Sequence, residues 1–105
     1  MIHTARIGDK AQGKVIDITV KNNRNHCLAP TWGLVMDMKH GKITWEQYEA
    51  GYRELIRLRM QTRMKEFMEI AEAAKKENVY LACFCKDERI CHRKLAQEII
   101  EKLME

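Results

Sequence analysis

Three of the four cysteines lie close together near the C-terminal end of the chain, at positions 83, 85 and 91. Cys83 and Cys85 end an apolar run, whereas Cys91, His92 and Arg93 open a stretch with helical periodicity. A thiol beside a helix N-terminus and two basic groups is expected to have a lowered pKa and some thiolate character. We therefore predict Cys91 as a reactive thiol, His92 as a hydrogen-bond donor or acid–base catalyst, and Arg93 as an anion-binding residue.

The elements around these residues are expected to place them at one edge of a sheet. The apolar run does not alternate, which is typical of a strand buried on both faces of a parallel sheet. We predict a central strand at 79–84 and a helix at 92–103 packed on it. Four side chains should then be almost inaccessible, namely Leu81, Ala82, Leu95 and Ile99. Ligands of open α/β sheets bind at the carboxyl ends of the strands, where helix N-termini point.

Basic residues at the start of this helix oppose its macrodipole, at a cost of roughly 0.3–1 kcal/mol each. A bound anion would offset that cost, so we predict a pocket for a small anionic or nucleotide-like ligand, with catalysis left open. Asp17 lies in the middle of a β-branched stretch and is expected to orient His92 or an arginine, or to act as a base. An exposed or structural carboxylate is the alternative for Asp17. The other predicted lining residues are Cys83, Cys85, Thr19, Trp32 and Tyr48; core packing is the alternative for the two aromatic residues.

Three other interpretations of the cysteines remain open. They can be buried structural residues, since cysteine is among the most buried residue types. With His92 they reach the tetrahedral ligand number of zinc, but adjacent Cys91 and His92 cannot easily reach one ion, so we predict no metal. Cys83 and Arg89 fit the C-x5-R spacing of a phosphatase loop, although the bulky and acidic residues between them disfavour a phosphate-binding nest. No cofactor follows from the pattern.

The length of 105 residues suits one domain, 1–105, with one core. No apolar run reaches the roughly 18 residues of a membrane span, and the N-terminus lacks a signal-peptide pattern. We therefore expect a cytoplasmic protein with no membrane partner. A module without catalysis that binds nucleic acid or another protein is the alternative function. The net charge of +4 is compatible with nucleic acid, which an arginine-rich helical stretch would contact, but the signal is weak. The sequence does not indicate the oligomeric state.

The remaining elements follow from local patterns. Strands are predicted at 2–7 and 14–20, followed by a polar loop at 21–27 and a short helix with Pro30 in its first turn. A long helix should run from 44 to 76, with Thr44 and Gln47 as a capping box. At 1.5 Å per residue it would span about 50 Å, so we expect a kink or break within 57–63, or partner contacts along the overhanging part of the helix. The short link between the first two strands favours a hairpin.

The run LACFCKDERICHR, preceded by VIDITVK, LAPTW and ITWEQY, resembles the short branch of the domain of unknown function 488 family. The resemblance covers nearly the whole chain. Cys83, Cys91, His92 and Arg93 match the family's tail, and Asp17 matches the Asp of its second strand. The resemblance implies an α/β fold of the Rossmann-like or flavodoxin-like kind, in three layers, with helices around a small, mainly parallel sheet. It also implies that the first two strands are parallel, but it supplies no substrate.

Overall fold

The structure is a computed structural model that describes residues 1–85 and 90–105. Arg89, and with it the C-x5-R pattern, lies outside the described residues. The described elements, in chain order, are β1 (Ile2–Arg6), β2 (Lys14–Asp17), α1 (Val20–Asn23), α2 (Trp32–Lys39), α3 (Trp45–Lys76), β3 (Val79–Cys83) and α4 (His92–Leu103). None of the described helices has the length and apolar character needed to cross a membrane.

The three strands form a parallel sheet in the order β1-β3-β2. Val79 pairs with Ile2 on one side and with Lys14 on the other, so β3 is the central strand, as predicted. The predicted α/β class, with a parallel sheet and flanking helices, is confirmed. The parallel arrangement of the first two strands, which the resemblance implies, is confirmed. The hairpin that the short link favours is wrong, because β1 and β2 run in the same direction and β3 separates them.

The link at 7–13 returns from the carboxyl end of β1 to the amino end of β2. Because β3 lies between these strands, the link must pass across the central strand. Seven extended residues reach about 23 Å, enough for a five-residue strand of about 17 Å. The link ends where the Lys14 amide donates to the Asn78 carbonyl at 2.9 Å, just before β3.

Helix α3 begins with the predicted capping box. The Thr44 hydroxyl accepts a hydrogen bond from the Gln47 amide at 3.1 Å, and the Gln47 side chain accepts one from the Thr44 amide at 2.8 Å. The predicted kink occurs at Arg63, where φ is −128° and ψ is 23°. The two halves can therefore pack on one core, which both supply with buried residues: Tyr48, Tyr52, Ile56, Phe67, Ile70, Ala71 and Ala74.

The core lies between α3, α4 and the face of the sheet that carries Ile2, Val79 and Leu81. Leu81 and Ala82 are fully buried and Leu95 nearly so, as predicted. The predicted burial of Ile99 is wrong. Ile100 of α4 points into the core instead, and Ile99 lies half-buried in a groove beside α3.

The second strand is shorter than predicted and ends at Asp17. Thr19 is the N-cap residue of α1, and its hydroxyl accepts a hydrogen bond from the Asn22 amide at 3.1 Å. A helix therefore begins at Val20, within the predicted strand, and continues into the predicted loop. Helix α2 likewise begins after Thr31 caps it, so Pro30 precedes the helix rather than lying in its first turn.

Candidate functional site

The three clustered cysteines converge at the carboxyl end of the central strand. Cys83 ends β3, Cys85 follows two residues later, and Cys91 is the N-cap residue of α4. The Sγ atoms of Cys83 and Cys91 are 3.0 Å apart, and all three Sγ atoms lie within 4.8 Å of one another. Cys83 and Cys91 are buried, whereas Cys85 is exposed. The cluster therefore presents one accessible thiol supported by two buried ones.

His92 connects the start of α4 to the end of β2. Its Nε2 lies 2.8 Å from the carbonyl oxygen of Ile18, and its ring is tilted against Tyr52 with 5.7 Å between centroids. Burial lowers the pKa of His92, although the Ile18 carbonyl acts in the opposite direction, so the ring is neutral near pH 7. A neutral ring that donates from Nε2 keeps a lone pair on Nδ1, which lies 3.8 Å from Cys91 Sγ.

Arg93 is buried beside the carboxyl end of β1, with only 5% of its surface exposed. Its Nη1 donates to the Ala5 carbonyl at 2.8 Å, while its Nε has no hydrogen-bond partner. Among the described residues, no carboxylate forms an ion pair with Arg93. Buried charges are normally paired, and in the part of the chain that the structure describes Arg93 Nε is the buried side-chain nitrogen that lacks a partner.

The pKa shifts place the thiolate on Cys85. Hydrogen bonds with the thiols of Cys83 and Cys91 lower the pKa of Cys85, and the nearby His92 and Arg93 act in the same direction. The same hydrogen bonds, together with burial, raise the pKa of Cys91 well above its ordinary value. The predicted lowering at Cys91 is therefore wrong, because Cys91 is sealed in the core and acts as a donor to another sulfur.

Asp17 and Thr19, predicted to line the pocket, are engaged in the start of α1. Asp17 accepts hydrogen bonds from the Thr19 amide at 2.9 Å and from the Asn22 side chain at 2.8 Å. Partial burial opposes ionisation, but these hydrogen bonds hold the pKa of Asp17 below its ordinary value. The sequence suggested that Asp17 orients His92. The Asp17 carboxylate does not bond His92, whose ring contacts the Ile18 carbonyl instead.

The two predicted aromatic walls occupy different surroundings. Tyr48 is buried in a ring stack, 5.2 Å from Trp45 and 6.4 Å from Tyr52 between centroids. Burial raises the pKa of Tyr48 well above its ordinary value, so its phenol stays protonated in the core. Trp32 is 46% exposed and lines a cavity beside α1.

Sequence reasoning missed Phe84, which lies between Cys83 and Cys85 in the chain. Its ring is 45% exposed, and Lys21 Nζ lies 5.7 Å from the ring centroid. The available signal was a large apolar residue between two cysteines at the end of a strand. Phe84 and Lys21 therefore join the thiol cluster to α1.

The arginines proposed for nucleic acid are all bonded within the chain. Three of them form ion pairs with glutamates on α3 or α4, and Arg59 donates to the carbonyl of Cys27 at 2.8 Å and to two neighbouring carbonyls. The ion pairs are Arg53 with Glu49 and Glu98, Arg57 with Glu54, and Arg63 with Glu66. These bonds are those expected of a structural and solvated helix face, and the nucleic-acid surface stays a prediction.

Comparison with protein families matches residues 3–103 to DUF488-N3a, described as the active DUF488-N3 subclade. The match covers the sheet, the thiol cluster and all but the ends of the chain. Comparison with curated proteins found no match. Comparison with solved structures found none either.

Proposed function

We propose that this chain, which belongs to the DUF488-N3a family, binds a small oxyanion, such as a phosphate group, at the carboxyl edge of its sheet. The observation that carries the proposal is Arg93, a buried guanidinium with no carboxylate partner among the described residues and with a free Nε. The family description, "active", is compatible with a reactive site but names no reaction.

The free energy of a buried charge favours this ligand. An isolated charge loses several kcal/mol of solvation on burial, and a paired anion recovers much of that loss. Guanidinium groups bind phosphate through two parallel hydrogen bonds, which would use the Nε that is now free. The N-terminus of α4 adds a second contribution, because Cys91 provides no side-chain cap for its first amide groups.

In this proposal Cys85 takes the role of reactive thiol that the sequence assigned to Cys91. Cys85 is exposed, and the thiols of Cys83 and Cys91 stabilise its thiolate. A thiolate is the nucleophilic form of cysteine. His92 holds α4 against β2 and, with Nδ1 3.8 Å from Cys91 Sγ, supplies an acid–base group beside the cluster. Cys83 and Cys91 form the floor of the site.

A thermal-shift titration with inorganic phosphate, at fixed ionic strength, tests the proposal on three proteins. The native chain should gain stability with phosphate, by about 2.7 kcal/mol at 100 times the dissociation constant. Arg93→Ala should lose this gain. Arg59→Ala is the matched control, because Arg59 also binds backbone carbonyls but stands outside the cluster; it should melt lower and still respond to phosphate.

The opposite pattern would identify Arg93 as a structural residue. If phosphate leaves the native melting temperature unchanged while Arg93→Ala melts much lower, the guanidinium serves only to hold the Ala5 carbonyl. The oxyanion proposal then fails.

Zinc binding is a second candidate function, favoured by the mutual approach of three Sγ atoms within 4.8 Å. The Nε2 contact of His92 with a backbone carbonyl is also the arrangement by which proteins orient a histidine ligand. Elemental analysis of protein purified without chelator separates the candidates. Stoichiometric zinc that survives dialysis supports this function and overturns the sequence prediction of no metal, whereas zinc well below one per chain supports a free thiol cluster.

A further inference from the structure

A concave surface lies beside α1, the helix that follows the carboxyl end of β2. It has a volume of about 360 Å³ and is lined by residues 20–25 and Trp32. The volume lies within the range of small-molecule sites, which starts near 300 Å³. Trp32 exposes 46% of its surface there, as the first residue of α2. A large aromatic ring exposed in a concavity is a ready stacking surface for a planar ligand.

The polar groups of this concavity suit a heterocycle with hydrogen-bonding edges. The side-chain NH₂ groups of Asn22 and Asn23 donate to the Asp17 carboxylate and carbonyl at 2.8 and 2.9 Å. These two bonds fix both amide groups and leave their Oδ1 atoms as acceptors. Asn25 adds a further amide to the lining. Amide side chains in fixed positions beside a stacking ring are the groups with which proteins read nucleobases.

Lys21 links the concavity to the surface beside the proposed oxyanion site. Lys21 lines the concavity, and its Nζ lies 5.7 Å from the ring of Phe84, which stands between Cys83 and Cys85. Arg93 lies at the carboxyl end of β1, whereas α1 follows β2. The oxyanion site and the concavity are therefore separated by the width of the sheet. Two strand spacings amount to about 10 Å. A phosphate ion is too short to contact the concavity and Arg93 at the same time.

We infer that the ligand is a nucleotide, with its base stacked on Trp32 among the asparagine amides and its phosphate directed toward Arg93. Lys21 lies between the base and the phosphate, where its ammonium group neutralises part of the negative charge of the nucleotide. The inference rests on the proposed function and adds the base subsite to it. Trp32 is then a specificity residue, because it distinguishes a nucleotide from a sugar phosphate.

Fluorescence of Trp32 measures occupation of this subsite directly. The chain has two tryptophans, so Trp45→Phe leaves Trp32 as the single reporter. AMP, UMP, ribose 5-phosphate and inorganic phosphate are titrated separately into this variant. AMP should quench Trp32 and bind about tenfold more tightly than ribose 5-phosphate, the ratio expected from one stacked base.

Two substitutions complete the test, read by thermal shift and calorimetry. Trp32→Ala should reduce AMP affinity to that of ribose 5-phosphate and leave phosphate binding unchanged, whereas Trp32→Phe should retain most of the preference for AMP. Trp32 is half exposed at a helix start, so neither change should unfold the chain.

The outcomes separate this inference from the function on which it rests. If phosphate binds but AMP binds no more tightly than ribose 5-phosphate, and Trp32→Ala has no effect, the base subsite is refuted and the oxyanion site stands. If none of the four ligands binds, both are refuted. If AMP quenches the fluorescence of Trp32 but Arg93→Ala does not weaken AMP binding, the bridging nucleotide and the oxyanion role of Arg93 are both refuted.

Discussion

Replacing His92 by Phe removes one buried hydrogen bond and keeps an aromatic ring beside Tyr52. In the native chain His92 Nε2 lies 2.8 Å from the Ile18 carbonyl, and both residues are buried. A buried carbonyl left without a donor costs about 1–3 kcal/mol. For 105 residues, an unfolding entropy of about 2.1 cal/mol/K per residue converts 1 kcal/mol into about 4–5 °C. His92→Phe should therefore melt about 5–14 °C below the native chain.

The pH dependence of this difference in melting temperature tests whether the buried, neutral ring of His92 causes it. Burial lowers the pKa of His92 below its value in the unfolded chain. Such a group contributes stability that is fully present above the unfolded pKa, about 6.5, and is lost as the pH falls through the folded pKa. Phe cannot titrate, so the gap between native and His92→Phe should narrow from about pH 8 to about pH 5. Burial also lowers the pKa of His26, which leaves both proteins with a residual slope.

Tyr52→Phe is the matched control. The Tyr52 hydroxyl donates to the Leu28 carbonyl at 2.6 Å in the same core, and burial raises its pKa well above 10. Its removal should cost a similar amount at every pH in this range. Thermal denaturation of the three proteins at several pH values makes the comparison. A gap for His92→Phe that is as constant as that for Tyr52→Phe, or no loss of stability at all, would refute the reasoning about His92.

Two further predictions concern the thiols and the crossing link. Iodoacetamide should modify Cys85 much faster than Cys27 near neutral pH, because the pKa of Cys85 is lowered whereas burial raises that of Cys27 to about 11. Peptide mapping by mass spectrometry gives both rates, and equal rates would contradict a thiolate at Cys85. Gly13→Ala should cost about 1–3 kcal/mol in urea denaturation, since its methyl group would overlap the Asn78 carbonyl. Gly33→Ala lies in a helix, where the added methyl group would meet only Thr31 Oγ1 at 3.8 Å, an ordinary contact, so it should be neutral or stabilising. A similar loss at both glycines would refute the close approach of Gly13 to Asn78.

The elements whose causes are local could be predicted from the amino-acid sequence. The capping box at Thr44 satisfies the first amide groups of α3 from side chains three residues away, so the start of that helix is visible in the sequence. The limits of α4 follow from its apolar periodicity, and the kink at Arg63 follows from a helix too long for its core. The unalternating run at 79–84 indicated a central strand because only a strand covered on both faces needs apolar residues at every position.

The assembly of the site could not be predicted from local patterns, because its contacts join residues far apart in the chain. His92 meets the Ile18 carbonyl across 74 positions, and Arg93 meets that of Ala5 across 88. No periodicity encodes such pairings, and the insertion of β3 between β1 and β2 creates both. The same assembly buries Cys91 in the core and leaves Cys85 at the surface. The thiolate is therefore on Cys85, which water can reach and which the buried thiols of Cys83 and Cys91 stabilise, and not on Cys91 as the sequence predicted.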